Sequence, residues 1–352
     1  MIDFRYHLVS IVAVFLALTV GLVLGTTMLQ DPLLNTLESE TSELREQSET
    51  LRAEKERAEA LNDGGDAMAG VYADDMLGGR LEGLGVVVVS APGADEEVRD
   101  GLEARVEQAG GTVEGRLALT DKYIDPDQAT FVGELADQLA EDADGSAGSG
   151  GPYERAAVRL AEAVGAGDGS EGEDGEDGED GEGDAGIDGE AVLAGFAEAG
   201  LLAVEGEPAE AADAALVLAP AAPFPDGAPS TPEGEASEPP GNDAVLPLAE
   251  AVAEDAPALL AGGASAAGPG GLVARAREDG APVATADAVG RAVGDVAAVL
   301  ALAEAVGDGP GHYGVGPEAD GFLPDPPPPA REDGEASERG GTSTERRTPQ
   351  AG

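Results

Sequence analysis

Residues 86–95 read VVVVSAPGAD, and they indicate the fold class of the whole chain. The first half is a short continuous apolar run, which is typical of a parallel strand that is buried on both faces. Pro92-Gly93 then predicts a turn, and Asp95 is placed to cap a helix that runs to about Ala109. One strand, one turn and one helix in this order are the building block of an α/β domain.

The same alternation continues toward the C-terminus. We predict one three-layer α/β domain over residues 80–314, with a mostly parallel sheet of five short strands. The predicted strands after the first are 112–120, 215–219, 258–262 and 282–285, and the predicted helices after the first are 128–141, 153–164, 188–199, 244–254, 270–278 and 287–306.

Three segments of biased composition are predicted to be disordered. The tract EGEDGEDGEDGEGD at 171–184 has no apolar residue and lies within an acidic insertion at about 166–187. Residues 220–243 are rich in Pro and Gly and form a second insertion, and the polar tail covers 315–352.

Upstream of the domain, residues 8–30 predict a transmembrane helix. They contain no charged residue over 23 positions, and about 20 helical residues cross the hydrocarbon core of a bilayer. The alternative is a cleaved signal peptide, which has a shorter apolar core and ends at an A-x-A-like site. The exit here reads Gly25-Thr26-Thr27-Met28, so we expect a retained anchor.

The charges beside this span predict its orientation. Arg5 precedes it, whereas Asp31 and Glu38 follow it and the first base afterwards is Arg45. The positive-inside rule therefore places residues 1–7 in the cytoplasm and the bulk of the chain outside, as a single-pass protein of the cell envelope with membrane lipid as its first partner.

Two seams predict self-association. In the span, Ala13, Ala17, Gly21 and Gly25 recur every four positions and form a small-residue ridge that permits close helix packing, although Gly and Ala are also simply common in such spans. Residues 33–62 predict a coiled-coil stalk ending before Gly64-Gly65, because Leu37, Leu44, Leu51 and Ala58 are spaced by seven.

The companion stalk seam of Leu34, Thr41, Ser48 and Lys55 is mostly polar. A parallel homodimer, or a higher homo-oligomer, is the favoured interpretation of the stalk, because the membrane anchor raises the local concentration. A single solvated helix is the alternative.

Composition excludes several classes of function. With 71 acids against 19 bases the net charge is −52, which disfavours nucleic acid and anionic lipid surfaces as partners. The chain has no cysteine and two histidines, and the turn at residues 90–95 lacks both GxGxxG and a P-loop lysine. We find no arrangement of nucleophile and base, so we expect neither an enzyme nor a firmly bound cofactor.

Copper is the metal for which the chain offers ligands, since thioether and imidazole groups suit it. The scattered candidates are Met28, Met68, Met76 and His312. The alternative is that these side chains only pack in the protein or lie in linkers.

The opening MIDFRYHLVSIVAVFLALTVGLVLGTTML resembles the start of the actinobacterial copper-transporter family typified by the mycobacterial copper transport protein B. The pattern S-x-x-A-V-F-L-A-L-x-V-G-x-x-L-G is met by Ser10 through Gly25. VVVVSAPGAD and AGGTVEGRLALT are similar to the first βα unit of that family, and residues 284–314 are similar to its last helix and its G-x-Y-G ending.

This resemblance implies an envelope protein of copper homeostasis that takes part in copper transport or efflux, with copper as the transported ion and an outer-membrane location. The residues alone favour the alternative of a membrane-anchored dimeric scaffold that binds another envelope protein. The chain offers one apolar span and none of the repeated alternating strands of a membrane barrel.

Overall fold

The computed structural model describes residues 3–142, 150–165, 189–206, 212–225 and 239–331, without the side chains of residues 3, 26–38, 141 and 142. The chain divides into two compact units, Met1–Gly65 and Asp66–Gly352. The predicted acidic insertion at about 166–187 lies outside the described residues.

The first element is the helix α1, Asp3–Leu77. Within it, Phe4–Gly25 is long and apolar enough to cross a membrane, judged by length and composition alone. The sequence predicted that the helix would end at Gly64-Gly65, and this was wrong, because the helix continues to Leu77. Ala69, Ala73 and Leu77 are buried in the core of the second unit, and this burial stabilises the last turns.

The α/β domain is built on a sheet of seven described strands in the order β3-β2-β1-β4-β5-β6-β7. All neighbouring strands are parallel except β3, which runs antiparallel to β2 at the edge of the sheet. The strands are β1 (Gly85–Ser90), β2 (Thr112–Leu119), β3 (Leu202–Gly206), β4 (Ala214–Leu218), β5 (Ala258–Ala261), β6 (Ala284–Ala286) and β7 (His312–Tyr313).

Seven helices follow α1 in the described residues. They are α2 (Glu96–Gln108), α3 (Ala129–Asp142), α4 (Pro152–Gly165), α5 (Gly189–Glu198), α6 (Pro240–Asp255), α7 (Leu272–Asp279) and α8 (Ala292–Gly307), with short 3-10 helices at Pro126–Gln128 and Ala264–Ala267. The predicted α/β fold with a mostly parallel sheet is confirmed.

Helices cover both faces of the sheet, and the interior strand β1 shows this directly. Val87 and Val89 lie in one core with residues of α3 to α7, whereas Val86 and Val88 lie in a second core with residues of α1, α2 and α8. All four valines are at most 1% exposed, as expected for a strand that is buried on both faces.

Parts of two segments predicted as disordered are packed in the structure. Phe224 is buried beside Gly241, at the start of α6, and 226–238 lie outside the described residues. The segment 315–331 also packs on the domain, and its end returns to the turn that follows α1. The backbone N–H of Arg331 donates to the carbonyl oxygen of Gly79 at 2.8 Å.

Candidate functional site

The small-residue ridge lies within the apolar part of α1. Ala13 and Ala17 are exposed, and a Cβ added at Gly21 or Gly25 would meet no atom within 4 Å. The hydroxyl of Thr19 donates to the carbonyl oxygens of Phe15 and Leu16 in its own helix, both at 2.9 Å. The ridge therefore offers an open surface for a second helix, and pairing there stays a prediction.

The stalk seam is likewise open in the single chain. Leu44 and Leu51 are each 65% exposed, and Ala58 is exposed as well. The side chain of Leu37 lies outside the described ones. Exposed leucines seven residues apart are compatible with a coiled coil, and the coiled coil itself stays a prediction.

The candidate copper ligands do not come together. Met68 is exposed, whereas Met76 packs partly against the core, and eight helical residues separate them by about 12 Å along the axis. The side chain of Met28 lies outside the described ones. Among the residues that the structure does describe, no three His, Asp or Glu side chains converge as a metal-binding group.

His312 belongs to a packed part of the domain. Its Nδ1 lies 3.1 Å from the hydroxyl oxygen of Thr285, and its backbone N–H donates to Asp320 at 3.0 Å. Burial lowers the pKa of His312 from its ordinary value, and the positive charge of Arg277 lowers it further. One of the two ring nitrogens of His312, Nδ1, is therefore already in use within the fold.

The crevice where doubly wound α/β folds bind ligands lies at the carboxyl ends of β1 and β4. Here the loops close on one another. Ala91 N–H donates to Leu218 O at 2.9 Å, Ala221 N–H donates to Gly93 O at 2.9 Å, and the Ser265 hydroxyl donates to Ala221 O at 2.8 Å. These backbone groups at the crevice are therefore used within the fold.

The N-terminus of α2, which borders this crevice, is also occupied. Asp95 Oδ1 accepts hydrogen bonds from Glu97 N–H at 2.8 Å and Val98 N–H at 3.4 Å, so the predicted cap is confirmed. Glu96 and Glu97 add negative charge in the first turn. This helix end is therefore a poor binding site for phosphate.

A buried ion pair that the sequence analysis did not predict joins α7 to the residue that follows β6. Arg277 Nη1 lies 2.7 Å from Asp287 Oδ2, and the two side chains are 1% and 0% exposed. Arg277 also donates to the hydroxyl of Thr285 and to the carbonyl oxygens of Tyr313 and Pro317, at 2.8 to 3.0 Å.

Asp287 completes this cluster from the other side. Its two carboxylate oxygens accept the backbone N–H groups of Val315 at 2.6 Å and Gly316 at 3.0 Å. Gly314 has a φ of +133°, and a Cβ there would run into the Asp287 carboxylate. We call Arg277, Thr285, Asp287 and the segment 313–317 the C-terminal clamp. The close packing of this clamp explains the GHYG pattern at residues 311–314.

One known protein family matches the part of the chain that contains nearly all of these features. The family described as copper transport outer membrane protein, MctB, matches residues 1–324. The chain belongs to the MctB family.

Relatives named copper transporter MctB match the chain over a shorter region. Those of Mycobacterium tuberculosis and Mycobacterium bovis are each 32% identical over 129 residues, which is 37% of this chain and 41% of the relative. That of Mycobacterium leprae is 35% identical over 129 residues, 36% of this chain and 39% of the relative. The aligned region thus spans about two fifths of these MctB relatives.

The family match includes both the apolar segment and the complete described sheet. It also includes the whole C-terminal clamp, since residues 277–317 lie inside it. Membership of the MctB family therefore concerns the N-terminal helix and the α/β domain together.

Proposed function

We propose that this protein acts in copper homeostasis as a single-pass membrane-anchored envelope protein that takes part in copper transport or efflux. The family match over residues 1–324 carries the proposal, because it joins the apolar helix and the α/β domain in one copper-transport family. We further propose that residues 1–7 are cytoplasmic and that the domain is outside, with the family description supporting an outer-membrane location.

The presence of one apolar helix in the described residues supports an accessory or subunit role in transport. One apolar helix encloses no pore, so a pore would need several copies or a partner. Thioether and imidazole ligands are scattered among the described residues, and hard carboxylates are poor ligands for Cu(I). We therefore propose copper as the transported ion and not as a resident cofactor.

The second candidate is a dimeric scaffold of the envelope without direct metal transport. The observation that favours it is the exposed stalk seam of Leu44 and Leu51, together with the open small-residue ridge. The closed crevice at β1 and β4 supports a role without catalysis in either case. A parallel homodimer, or a higher homo-oligomer, is common to both candidates.

The deciding experiment measures copper accumulation and copper sensitivity in a deletion strain. The strain is complemented with the full chain or with a secreted version that lacks residues 1–30, and zinc accumulation serves as the metal control. We expect deletion to raise cellular copper but not zinc, and the anchored protein alone to restore it. Unchanged copper handling on deletion would refute the transport role and favour the scaffold.

The topology has its own test. A reporter that is active only outside the cytoplasm, fused after residue 80, should be active. Activity of a matched cytoplasmic reporter at the same position would reverse the proposed orientation.

A further inference from the structure

A cavity opens on the α/β domain at the edge of the sheet where β5 and β6 begin. It measures about 230 Å³ and is walled by the last turn of α6, by Pro257 and Ala258 at the start of β5, and by Pro282 ahead of β6. Ala305 of α8 and Pro310 complete the wall. We call this space the edge cavity.

The edge cavity offers many hydrogen-bond acceptors and few donors. The last carbonyl groups of a helix have no partner within the helix, and both α6 and α8 end at this cavity. The three prolines in the wall have no N–H, and the N–H of Ala256 already donates to Val252 O at 2.9 Å. A ligand that fits this wall must therefore donate hydrogen bonds.

The charge around the edge cavity has one sign. Glu254 and Asp255 lie in its wall and are exposed, and none of the residues that line it is basic. Cations stabilise the C-terminal end of a helix, yet neither of these two described helices has a basic residue in its last turn. Two helix ends and two carboxylates therefore attract a cation to one small space.

The size of the edge cavity and its ligand groups narrow the class of cation. Sites for small organic ligands usually measure about 300–1,000 Å³, so this one is suited to a single side chain. Ca²⁺ takes about six to eight oxygen ligands, whereas no three acidic side chains converge as a metal-binding group in the described part of the chain. Walls of alanine and proline favour guanidinium over ammonium, because guanidinium is planar and more weakly hydrated.

We propose that the edge cavity receives an arginine side chain of a partner protein, whose guanidinium group is held by Glu254, Asp255 and the terminal carbonyl oxygens of α6. The planar group presents several N–H donors and binds a carboxylate through two parallel hydrogen bonds, which meets the excess of acceptors in the wall. This inference goes beyond the proposed function and depends neither on copper nor on the homodimer.

This chain also carries arginines that could compete for the edge cavity. Arg339, Arg346 and Arg347 lie outside the described residues. The family match includes the whole edge cavity but ends at residue 324, so these three arginines are not in the part of the chain that the family shares. A partner is therefore the source that we propose, and the tail is tested against it.

Saturation-transfer NMR with the full-length protein in detergent tests this inference. The probe is N-acetyl-arginine methylamide, which mimics an arginine within a peptide, and the matching citrulline compound is a control of similar shape without the charge. We expect the arginine probe to give a signal about fivefold stronger than that of the citrulline compound, because only the former forms an ion pair.

Variants locate the binding. Glu254→Gln combined with Asp255→Asn should abolish the preference for arginine. The control is Glu96→Gln combined with Glu97→Gln, which removes two exposed acids from the first turn of α2 and should leave binding unchanged. The first variant should melt at the same temperature as the parent or higher, because acids are unfavourable at a helix C-terminus. Residues with only a structural role would not lose binding without losing stability.

Several outcomes would overturn the inference. Equal signals from the two compounds, or undiminished binding by the Glu254 and Asp255 variant, would exclude a guanidinium site here. An equal loss in the control variant would mean general attraction to an acidic protein. Displacement of the probe by calcium chloride, but not by sodium chloride of the same ionic strength, would assign the cavity to a metal ion.

A third variant separates a partner from the tail. Arg339→Gln, Arg346→Gln and Arg347→Gln together remove the competing guanidinium groups of this chain. We expect this variant and the parent to bind the arginine probe equally well. Tighter binding by the variant would show that the tail fills the cavity of the parent, and it would overturn the assignment to a partner.

Discussion

Asp66 binds the start of α8 from a different helix. Its Oδ2 lies 2.6 Å from Arg291 Nη2, and its Oδ1 accepts the backbone N–H of Val293 at 3.2 Å. Arg291 is the N-cap residue of α8 and makes no side-chain cap hydrogen bond of its own. Asp66 therefore acts as the missing cap and fastens the last turns of α1 to the domain.

We expect Asp66→Ala to lower the free energy of unfolding by about 1–2 kcal/mol, since it removes both a helix cap and an ion pair. Asp66→Asn keeps an oxygen acceptor and should recover most of this loss. Urea unfolding of the full-length protein in detergent measures the difference, and Glu107→Ala, an exposed acid on α2, is the control. A loss no larger than that of the control would contradict the capping role.

The C-terminal clamp should be far more sensitive than a surface ion pair of the same chemistry. We expect Asp287→Ala to cost about 3–5 kcal/mol, because it leaves the Arg277 guanidinium charged, buried and unpaired. The matched control is Asp279→Ala, which removes the part-exposed partner of Arg275 on the same helix and should cost under about 1 kcal/mol. Thermal unfolding decides this prediction, and equal losses for the two variants would show that the clamp is dispensable.

His312 should make stability depend on pH in one direction. Its pKa in the folded protein is lowered from 6.5, so the unfolded chain takes up the proton first as the pH falls. The contribution is fully present above about pH 6.5 and is lost toward the lower pKa of the folded state. Comparing His312→Gln with the parent isolates this term, because burial raises the pKa of Asp243, Glu250 and Asp295, and those carboxyls act in the opposite direction. Identical slopes of melting temperature against pH between 5 and 7 would count against it.

The small-residue ridge in the apolar segment predicts that larger side chains at its glycines will weaken helix pairing. Gly21→Leu combined with Gly25→Leu should strongly reduce cross-linking of the full chain in detergent, because the added side chains keep two helix backbones apart. Val23→Leu, which lies off the ridge, should leave the yield unchanged. Undiminished cross-linking in the double variant would mean that the two helices do not meet at this face.

Much of the fold was predictable because its signals are local. The run of four valines predicted the interior strand β1, and Asp95 predicted the start of the next helix. The edge strand β3 was missed because it is only partly buried, and its place depends on antiparallel pairing with β2. The continuation of α1 past two glycines was missed because burial of Ala73 and Leu77, a tertiary effect, outweighs the local helix propensity.

The candidate site was harder to predict, for physical reasons. Nothing in the spacing of Arg277 and Asp287 indicates that both are buried, since arginine and aspartate are usually exposed. Their pairing arises only when β6, β7 and α7 are assembled. The GHYG pattern was the one available signal, because glycines around an aromatic residue indicate a tightly packed backbone.

The hydrogen bond between Arg331 and Gly79 ties the last residue that the structure describes to the turn that follows α1. A pull applied between α1 and Arg331 would therefore load this hydrogen bond before it loads the strands of the sheet. We expect the segment 315–331 to detach first under such a load, while the buried strands stay paired.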